Sequence, residues 1–319
     1  MSTKYVHVTA AILISLTIFS SCDFRSKATK SNKFCETAHL EFVAKDYKNA
    51  LVDYRMAASI DTTNGLAFEG KGSAEYQLDV DDSALRDEMT ALRLNPDLKK
   101  VRNWIATIKS DMQDYRGAIQ YFNKSLEVGN NLVKDYEGRG EAYYYLNDYD
   151  RAMKDETKAI QLDSATEEGY YWRARIKTGL GDYKGAIDDH LKSIAIGAKK
   201  GLDYEGLSLD ENYLGDKTKA LEYISMAITS DTSLKTAYAY RARIRQDMED
   251  YKGSIDDYTL SIKKRKNNSM DYEGRAVSEY YLKDYTNALN DINIAVKDTA
   301  LKKAQEWKEL IEKDMHNRG

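Results

Sequence analysis

Few side chains in this sequence have the types and the spacing that catalysis requires. The four histidines are scattered along the chain: His7, His39, His190 and His316. No HExxH helix, nucleophile elbow or phosphate-binding glycine-rich loop accompanies them. Asp and Glu are plentiful, but they recur at regular intervals, which is typical of solvated faces and not of one catalytic pair. The sequence therefore predicts a protein that is not an enzyme, with no cofactor and no small-molecule substrate.

One pair of residues has the spacing of metal ligands. Cys35 and His39 are four residues apart, so a helix would place them on one face, where a metal or a thiol–imidazole pair could form. Metal sites in proteins use three or four ligands, and no third ligand is indicated nearby. We therefore expect no metal, and we interpret Cys35 as a small, buried thiol.

The composition limits the class of protein. The chain has 319 residues, of which 42% are hydrophobic and 31% are charged, so it has enough apolar material for a sizeable core. Proline occurs once and tyrosine 25 times, so long uninterrupted helices are expected. The net charge is −4 and no basic block is present, which argues against nucleic acid as a partner.

The N-terminal segment differs from the rest of the chain. Lys4 precedes an apolar run from Val8 to Phe19, which is too short to span a bilayer as a helix but suits a signal peptide. The small residues directly before Cys22 resemble the lipobox of bacterial lipoproteins, although Phe19 stands where that motif prefers an aliphatic residue. The resemblance implies cleavage before Cys22 and acylation of this residue.

On this interpretation, residues 1–21 are a lipoprotein signal peptide and residues 22–30 are a flexible tether, because the latter lack apolar periodicity. The protein would then be a lipid-anchored membrane lipoprotein of the bacterial cell envelope, in a leaflet that the sequence leaves open. Several acyl chains on one residue give stable anchoring without a spanning helix. The alternative is an ordinary signal peptide cut nearby, with no role for Cys22.

A short motif recurs at a fixed interval. The tetrapeptide DYEG begins at three aspartates that are 68 residues apart: Asp135, Asp203 and Asp271. DYRG or DYKG keeps the same spacing: Asp114, Asp182 and Asp250. Weaker copies lie halfway between, so the underlying period is 34 residues. Eight units fill residues 31–302 without insertion or deletion, and positions are counted below from Ser31 as position 1 of the first unit.

Several positions of the unit carry a family resemblance. Position 8 is small in every unit, position 20 is Ala or Ser, position 4 is usually aromatic, and the only proline, Pro96, is at position 32. In these features the sequence resembles the tetratricopeptide repeat family. The resemblance implies an all-α, right-handed solenoid of eight helix–turn–helix repeats with a C-terminal capping helix. The repeats would be 31–64, 65–98, 99–132, 133–166, 167–200, 201–234, 235–268 and 269–302, and the cap 303–319.

Two positions change together among the units. Position 7 is basic and position 23 is Asp in the same five units, whereas the units with Ile or Leu at position 7 have Tyr at position 23. We therefore predict a structural ion pair between the two helices of each such hairpin. The pairs are Lys71–Asp87, Arg139–Asp155, Arg173–Asp189, Arg241–Asp257 and Arg275–Asp291.

Position 6 alternates between glycine and a large ring. It is glycine in the even units, whereas the later odd units have Trp104, Trp172 and Tyr240. Our hypothesis is that each large ring packs where the neighbouring glycine leaves room.

The family resemblance also implies a binding face. In this family, positions 2, 5, 9, 12 and 13 of the first helix line a concave groove, and here they supply tyrosines and alternating charges, as protein-binding surfaces do. The expected contact residues are Glu137, Tyr144, Tyr171, Arg175, Glu205, Tyr213, Arg243, Glu273 and Tyr280. Two other interpretations stay open. Glu137 with Arg175, and Glu205 with Arg243, would satisfy one another, and the tyrosines would pack between repeats.

The sequence thus predicts a non-catalytic scaffold for protein–protein interaction, tethered to the bacterial cell envelope, that holds a partner protein or peptide in its concave groove. The alternative is a structural component of an envelope or secretion complex that makes its contacts through the convex face or the ends of the array. An exposed apolar patch on the convex side would favour that alternative.

Overall fold

Seventeen helices and no strand make up the part of the chain that the structure describes. The computed structural model describes residues 26–129, 132–197, 200–266 and 268–317. The helices group into two compact halves, Met1–Leu162 and Asp163–Gly319, and each half contains four helical hairpins. The predicted all-α repeat solenoid is confirmed.

The helices alternate between the first and the second helix of a hairpin. Helix α1 covers residues 26–43. The others are α2 (Tyr47–Ile60), α3 (Gly65–Tyr76), α4 (Asp81–Leu94), α5 (Lys99–Asp111), α6 (Tyr115–Val128), α7 (Leu132–Tyr145), α8 (Tyr149–Leu162), α9 (Glu167–Leu180), α10 (Tyr183–Ile196), α11 (Lys200–Tyr213), α12 (Lys217–Ser230), α13 (Lys235–Asp247), α14 (Tyr251–Arg265), α15 (Ser269–Tyr281), α16 (Tyr285–Ala295) and α17 (Lys302–His316).

The turn inside every hairpin uses the same backbone conformation. Position 15 has a φ between +59° and +87° in all eight hairpins, although only Gly181 and Gly215 are glycines there. Position 16 is Asp in every hairpin but the second, and its carboxylate caps the second helix. Asp114, for example, accepts a hydrogen bond from the Gly117 amide at 3.0 Å. A side chain in place of Gly117 would overlap that carboxylate. The DYKG and DYRG motifs are therefore starts of second helices.

The glycine at position 6 of each even hairpin leaves room for a ring. That ring is the side chain at position 24, and not the position-6 ring predicted from the sequence. A side chain at this glycine would overlap the residue at position 24 of the preceding second helix. The pairs are Tyr54 with Gly70, Phe122 with Gly138, His190 with Gly206 and Tyr258 with Gly274. The hypothesis that assigned this space to Trp172 and Tyr240 is wrong, because the stagger between hairpins brings position 24, not position 6, over the glycine.

The aspartate and the tyrosine of the DYEG motif also make packing contacts in the fold. Asp203 is fully buried and accepts a hydrogen bond from the Ser193 hydroxyl of the preceding hairpin at 2.8 Å. The motif tyrosine lies beside the arginine at position 7, as in Arg139, whose guanidinium carbon is 5.4 Å from the Tyr136 ring centroid. Aspartate, tyrosine and glycine are therefore packing residues, and only the glutamate is left for another role.

Ion pairs join the two helices of the hairpins that have a basic residue at position 7. Arg139 donates to both carboxylate oxygens of Asp155, at 2.7 and 2.8 Å. The same contact joins Lys71 to Asp87, Arg173 to Asp189, Arg241 to Asp257 and Arg275 to Asp291. The structure thus brings together all ten residues that vary together in the sequence. Because the aspartates are largely buried, each pair holds its hairpin closed, and the arginine pairs add two-point geometry.

The N-terminal boundary of the first helix differs from the expectation. Residues 26–30, predicted as part of the tether, belong to α1. This stretch contains neither Pro nor Gly and includes Ala28 and two lysines, so nothing in it stops the helix. Residues 22–25 of the predicted tether, the predicted signal peptide and Cys22 lie outside the described residues. Within the described part of the chain, no helix combines the length and the apolar character needed to cross a bilayer.

Helix α17 covers the last hairpin with contacts that recur earlier in the chain. Trp307 packs edge-on against Tyr280 with ring centroids 5.6 Å apart, and the Tyr280 hydroxyl donates to Asp314 at 2.7 Å. Tyr76 makes the same two contacts with the next hairpin, through Trp104 (5.6 Å) and Asp111 (2.6 Å). Helix α17 therefore takes the place that a further first helix would occupy.

Candidate binding face

A cavity of about 560 Å³ opens on the first helices of the first three hairpins. Its lining consists of Asn32, Cys35, Glu36, His39 and Phe42 of α1, Tyr54 of α2, Leu66, Glu69, Gly70 and Ser73 of α3, and Lys100 and Trp104 of α5. Apart from Tyr54, every lining residue is at position 2, 5, 6, 9 or 12. We call the surface made by these positions the first-helix face. The volume suits a peptide side chain with its neighbouring backbone.

Aromatic side chains form the apolar part of the cavity, and neighbours fix them in place. Trp104 packs edge-on against Tyr76 with ring centroids 5.6 Å apart, and Phe42 does so against Tyr47 at 5.2 Å. Tyr54 is 6% exposed. Rings that are already held lose little conformational freedom when a partner packs against them, so this wall is preorganised for binding.

Charged side chains stand at the rim of the cavity. Glu36, His39 and Lys100 are exposed and Glu69 is half-buried. Burial raises the pKa of the Glu69 carboxyl, and the nearby Lys100 and His39 offset this only in part. Among the residues that the structure describes, Glu69 makes no ion pair. A cationic group on a bound partner would therefore replace interactions that this carboxylate has lost with water.

Cys35 and His39 belong to the cavity wall. The Asn64 amide nitrogen is 3.8 Å from the Cys35 sulfur, and burial raises the pKa of the thiol to about 11. The sulfur is therefore a neutral thiol near pH 7 and a poor nucleophile. In the described part of the chain, no group of three His, Cys, Asp or Glu side chains is arranged to hold a metal ion.

Position 5 is glutamate in all four even hairpins: Glu69, Glu137, Glu205 and Glu273. Glu137 differs from the others, because it is 4% exposed and pairs with Lys134 at 2.9 Å. Burial raises the pKa of both Glu205 and Glu273, and within the described residues neither forms an ion pair. Three of the four glutamates therefore keep a charge that a partner could neutralise.

The neighbours of Glu205 are Thr236 and Arg175, and not Arg243, with which the sequence would pair it. It accepts a hydrogen bond of 3.4 Å from the Thr236 hydroxyl, and the charge of Arg175 lowers its pKa in part. Arg243, the partner considered from sequence, is exposed. Glu205 therefore lies next to a basic residue of the preceding hairpin and still lacks a close ion pair.

The tyrosines expected to contact a partner also pack between or within hairpins. Tyr213 stacks on Tyr183 of the preceding hairpin with ring centroids 4.7 Å apart, and remains 57% exposed. Tyr144 packs edge-on against Tyr145, and Tyr280 against Trp307. Packing between repeats therefore accounts for much of this set, and the exposed ring edges remain available to a partner.

Tyr171 and Arg175 form one local group. Tyr171 is 8% exposed, and its hydroxyl accepts a hydrogen bond from Arg175 at 2.9 Å. The Arg175 guanidinium carbon is also 5.4 Å from the Trp172 ring centroid. Tyr171 therefore positions the Arg175 side chain, and Arg175 supplies the charge of this pair.

A buried polar cluster lies between the fifth and sixth hairpins. His190 Nδ1 is 2.8 Å from Asp203, and His190 Nε2 is 3.8 Å from Asp210. Burial raises the pKa of the Asp210 carboxyl to about 6, although it accepts a hydrogen bond from the Thr178 hydroxyl at 2.7 Å. His190, Asp203 and Asp210 are at most 1% exposed, so the cluster belongs to the packing between hairpins and is closed to a substrate.

Phe42, Leu66 and Lys100 line the cavity but were not among the expected contact residues. They are at positions 12, 2 and 2, which are positions of the family's binding face, so the same template applied to the first three hairpins would have found them. No pattern in the sequence indicates that the surface opens at these hairpins, because the gap depends on how the rings of Tyr54 and Trp104 pack.

The fold is that of an α-helical repeat protein. A sequence model of the tetratricopeptide repeat matches residues 100–128 and 136–166. The match places tetratricopeptide repeats in this part of the chain, and the other described hairpins have the same fold, which is generally non-enzymatic and used for protein interaction. Among curated proteins, none matches this sequence.

Solved structures with the same fold have low sequence identity to the chain. A tetratricopeptide repeat protein from Parabacteroides merdae has a TM-score of 0.58 and 17% identity, with 78% of this chain and 98% of that one covered. A chain of the APC/C hetero-tetramer Cut9–Hcn1 has a TM-score of 0.65 and 14% identity, with 86% of this chain covered. This chain spans about half, 54%, of that relative. YrrB, described as a tetratricopeptide repeat protein with an unusual peptide-binding site, has a TM-score of 0.50 and 18% identity. The match covers 60% of this chain and 97% of YrrB.

Proposed function

We propose that this chain is a non-catalytic scaffold of the bacterial cell envelope that holds a partner protein or peptide on its first-helix face. The observation that carries the proposal is the cavity of about 560 Å³, which is lined almost wholly by the five positions of that face. A cavity with fixed aromatic walls and a charged rim suits recognition of a peptide segment without any chemical step.

The lining specifies the chemistry of the bound segment. An apolar side chain would pack between Phe42 and Trp104, and a Lys or Arg beside it would pair with Glu69. In the second half of the chain, Glu205 and Glu273 repeat this carboxylate at position 5, so a basic segment bound there would pair with them. Since Glu69, Glu205 and Glu273 are already partly desolvated, pairing them removes less water than pairing exposed carboxylates.

A photo-reactive residue at Leu66 tests this proposal in intact envelopes. Leu66 lines the cavity and is 50% exposed. We expect it to crosslink a partner, and we expect Glu69→Lys to abolish the product while Glu69→Gln weakens it. The control places the photo-reactive residue at Lys154, which is exposed and lies at position 22 of the fourth repeat, in its second helix. A product formed equally from Lys154, or unaffected by Glu69→Lys, would remove binding from the first-helix face.

The envelope location rests on the lipobox-like sequence before Cys22. We infer that Cys22 carries the lipid anchor, because the run from Val8 to Phe19 suits a signal peptide and not a spanning helix. Mass spectrometry of the N-terminal peptide, with Cys22→Ser as control, tests the anchor. An N-terminus without acyl chains would contradict it.

A further inference from the structure

A second pocket opens where the third and fourth hairpins meet. It encloses about 370 Å³, and its lining consists of Arg116 and Ile119 of α6, Tyr143 of α7, Leu146 and Asp148 of the following turn, and Arg151 of α8. These residues are at positions 11, 14, 16, 18, 19 and 21, none of which belongs to the first-helix face. The pocket is therefore separate from the cavity beside Trp104.

The apolar wall of this pocket is a regular feature of the repeat. Every boundary between an odd hairpin and the next even one has Ile or Leu at position 21, Leu at position 14 and a basic residue at position 18. Position 11 is glutamate in three of the even hairpins and tyrosine in the fourth hairpin: Glu75, Tyr143, Glu211 and Glu279. The boundary between the third and fourth hairpins therefore has the wall and the cation but lacks the glutamate.

The boundary between the fifth and sixth hairpins shows what the glutamate does. It also has basic residues at both position 18 and position 19, Lys184 and Lys219. The Lys219 amine is 3.4 Å from a carboxylate oxygen of Asp216 at position 16 and 3.4 Å from one of Glu211 at position 11. Two lysines thus face two carboxylates, and the charges of these four side chains sum to zero.

One of these two carboxylates is missing from the pocket. Arg151, at the position of Lys219, keeps its contact with Asp148 at position 16, at 3.1 Å. Its guanidinium carbon is 5.6 Å from the ring centroid of Tyr143, which replaces the glutamate. Arg116 is exposed and, within the described residues, its side chain makes no ion pair or hydrogen bond. Two acidic residues that are close in sequence do not line the pocket: Asp114 and Asp150. Two arginines against one aspartate leave the lining with one positive charge in excess.

We propose that this pocket binds a carboxylate of a partner protein, carried on an apolar stem. The carboxylate lies between Arg116 and Arg151, and its stem packs against Ile119 and Leu146. Arginine suits this role, because its guanidinium can present two parallel donors to one carboxylate. A single carboxylate brings the charge of the lining to zero, whereas a phosphate group, with a charge of about −1.5 to −2 at pH 7, exceeds it. Binding at this site does not depend on the first-helix face.

Methyl NMR of the full chain tests the proposal, because Ile119 and Leu146 report on the pocket directly. Three peptide probes isolate the carboxylate. Acetyl-Leu-Glu-Leu-amide has only a side-chain carboxylate, acetyl-Leu-Gln-Leu with a free C-terminus has only a terminal one, and acetyl-Leu-Gln-Leu-amide has neither. We expect saturable shifts of both methyl resonances with at least one of the first two probes, and binding at least about ten-fold weaker for the third. The first two probes also distinguish an acidic side chain from a chain terminus as the source of the carboxylate.

Matched positions and two variants show whether the response comes from this pocket. Ile187 and Leu214 are at the same positions of the boundary that has Glu211, and their methyl resonances should not shift. Arg116→Gln removes an exposed cation and should weaken binding about ten-fold or more. Tyr143→Glu supplies the glutamate that three other hairpins have at position 11, and it should abolish binding. The remaining methyl resonances show that both variants stay folded.

Several results would overturn the proposal. Equal binding of the uncharged peptide, an unchanged response in Arg116→Gln or in Tyr143→Glu, or equal shifts at Ile187 and Leu214 would each contradict a carboxylate site in this pocket. The absence of a response to all three peptides would also contradict it. A response to inorganic phosphate without a response to either charged peptide would assign the pocket to phosphate instead.

Discussion

Ser125 donates its hydroxyl hydrogen to Asp135 at 2.8 Å, across the boundary between the third and fourth hairpins. The same bond joins Ser193 to Asp203 and Ser261 to Asp271, at 2.8 and 2.7 Å. Where the first and second hairpins meet, the equivalent residues are both alanine, Ala57 and Ala67. The aspartate of the DYEG motif is thus a buried hydrogen-bond acceptor, and each boundary that has this aspartate also has the serine that donates to it.

Removing Asp135 alone should cost more than removing it together with Ser125, because both changes take the acceptor from Asn103 and only the first also leaves the Ser125 hydroxyl unpaired. Asp135→Ala leaves the Ser125 hydroxyl without its buried acceptor, and Ser125→Ala takes one donor from a buried carboxylate, so each should cost about 1.5–3 kcal/mol. The double substitution recreates the alanine pair of the first boundary. Urea unfolding of the four proteins should give a coupling energy of about 0.5–3 kcal/mol. Additive effects would show that the bond does not hold the boundary.

Gly138→Ala should destabilise the protein because the new methyl group overlaps Phe122. Overpacking of this kind costs about 1–3 kcal/mol. Phe122→Ala makes room for the methyl group, so the double variant should be less destabilised than the sum of the two single changes. Thermal unfolding measures all three, and a Gly138→Ala variant as stable as the parent would contradict the predicted fit.

The left-handed turn at position 15 predicts opposite effects at two sites. Gln113→Gly should stabilise by up to about 1 kcal/mol, because Gln113 has φ +63° and glycine adopts that conformation without steric cost. Gly181→Ala, at the same position with φ +82°, should destabilise by a similar amount. Urea midpoints report both. A gain from Gly181→Ala would mean that the turn relaxes to negative φ.

Glu279 should make stability fall as pH rises. Burial raises the pKa of its carboxyl to about 7 and the charge of Asp291 adds to this, while Arg275, which lies 4.0 Å from Glu279 and is bound to Asp291, lowers the pKa only in part. The folded chain therefore holds this proton up to a higher pH than the unfolded chain, whose Glu pKa is about 4.3. The stabilising contribution is complete below about pH 4.3 and is lost as pH rises through about 7.

Glu279→Gln removes this pH dependence. Its melting temperature should exceed that of the parent by more at pH 8 than at pH 5. The control is Glu211→Gln at the same position of the sixth hairpin, because Glu211 has a closer cation, with Lys219 at 3.4 Å against 4.0 Å for Arg275 and Glu279. Equal gains at both pH values would show that the Glu279 carboxyl titrates as an exposed group.

His190 and Asp210 should behave as an exchangeable pair. His190 is at position 24, where the other odd hairpins have Tyr or Phe, and Asp210 is at position 10, where the second and fourth hairpins have Ala. His190→Phe leaves the buried Asp203 carboxylate without the hydrogen bond to the imidazole, which should cost about 1.5–3 kcal/mol. Adding Asp210→Ala should recover part of this loss in urea unfolding. A double variant less stable than His190→Phe would contradict the pairing.

The repeated sequence predicts those features that recur in every unit. The all-α hairpins and the contact between positions 7 and 23 follow from periods and paired changes, because one chain supplies eight copies to compare. Arg139 and Asp155 can be matched in this way from the sequence alone. The ring beside Gly138 cannot, since choosing Phe122 requires the stagger between successive hairpins, which no pattern within one unit encodes.

The candidate site is harder to predict for a related reason. Tyr213 has the residue type and the position of a groove contact, yet it stacks on Tyr183, and only the distance between the two helices decides between these roles. The cavity beside Trp104 depends in the same way on how three side chains from different hairpins pack. Glu69, Glu205 and Glu273 are visible in the sequence, but their half-buried state without an ion pair is not.

The most direct test of binding on the first-helix face is calorimetric titration of the partner segment, as identified by crosslinking, into the full chain and two triple variants. The first variant carries Glu69→Lys, Glu205→Lys and Glu273→Lys. The second makes the same charge change at three exposed acidic residues of second helices: Asp188→Lys, Glu222→Lys and Asp256→Lys. We predict binding at least about ten-fold weaker for the first variant, equivalent to about 1.4 kcal/mol, and little change for the second. Equal affinity for the parent and the first variant would contradict a binding role for the glutamates at position 5.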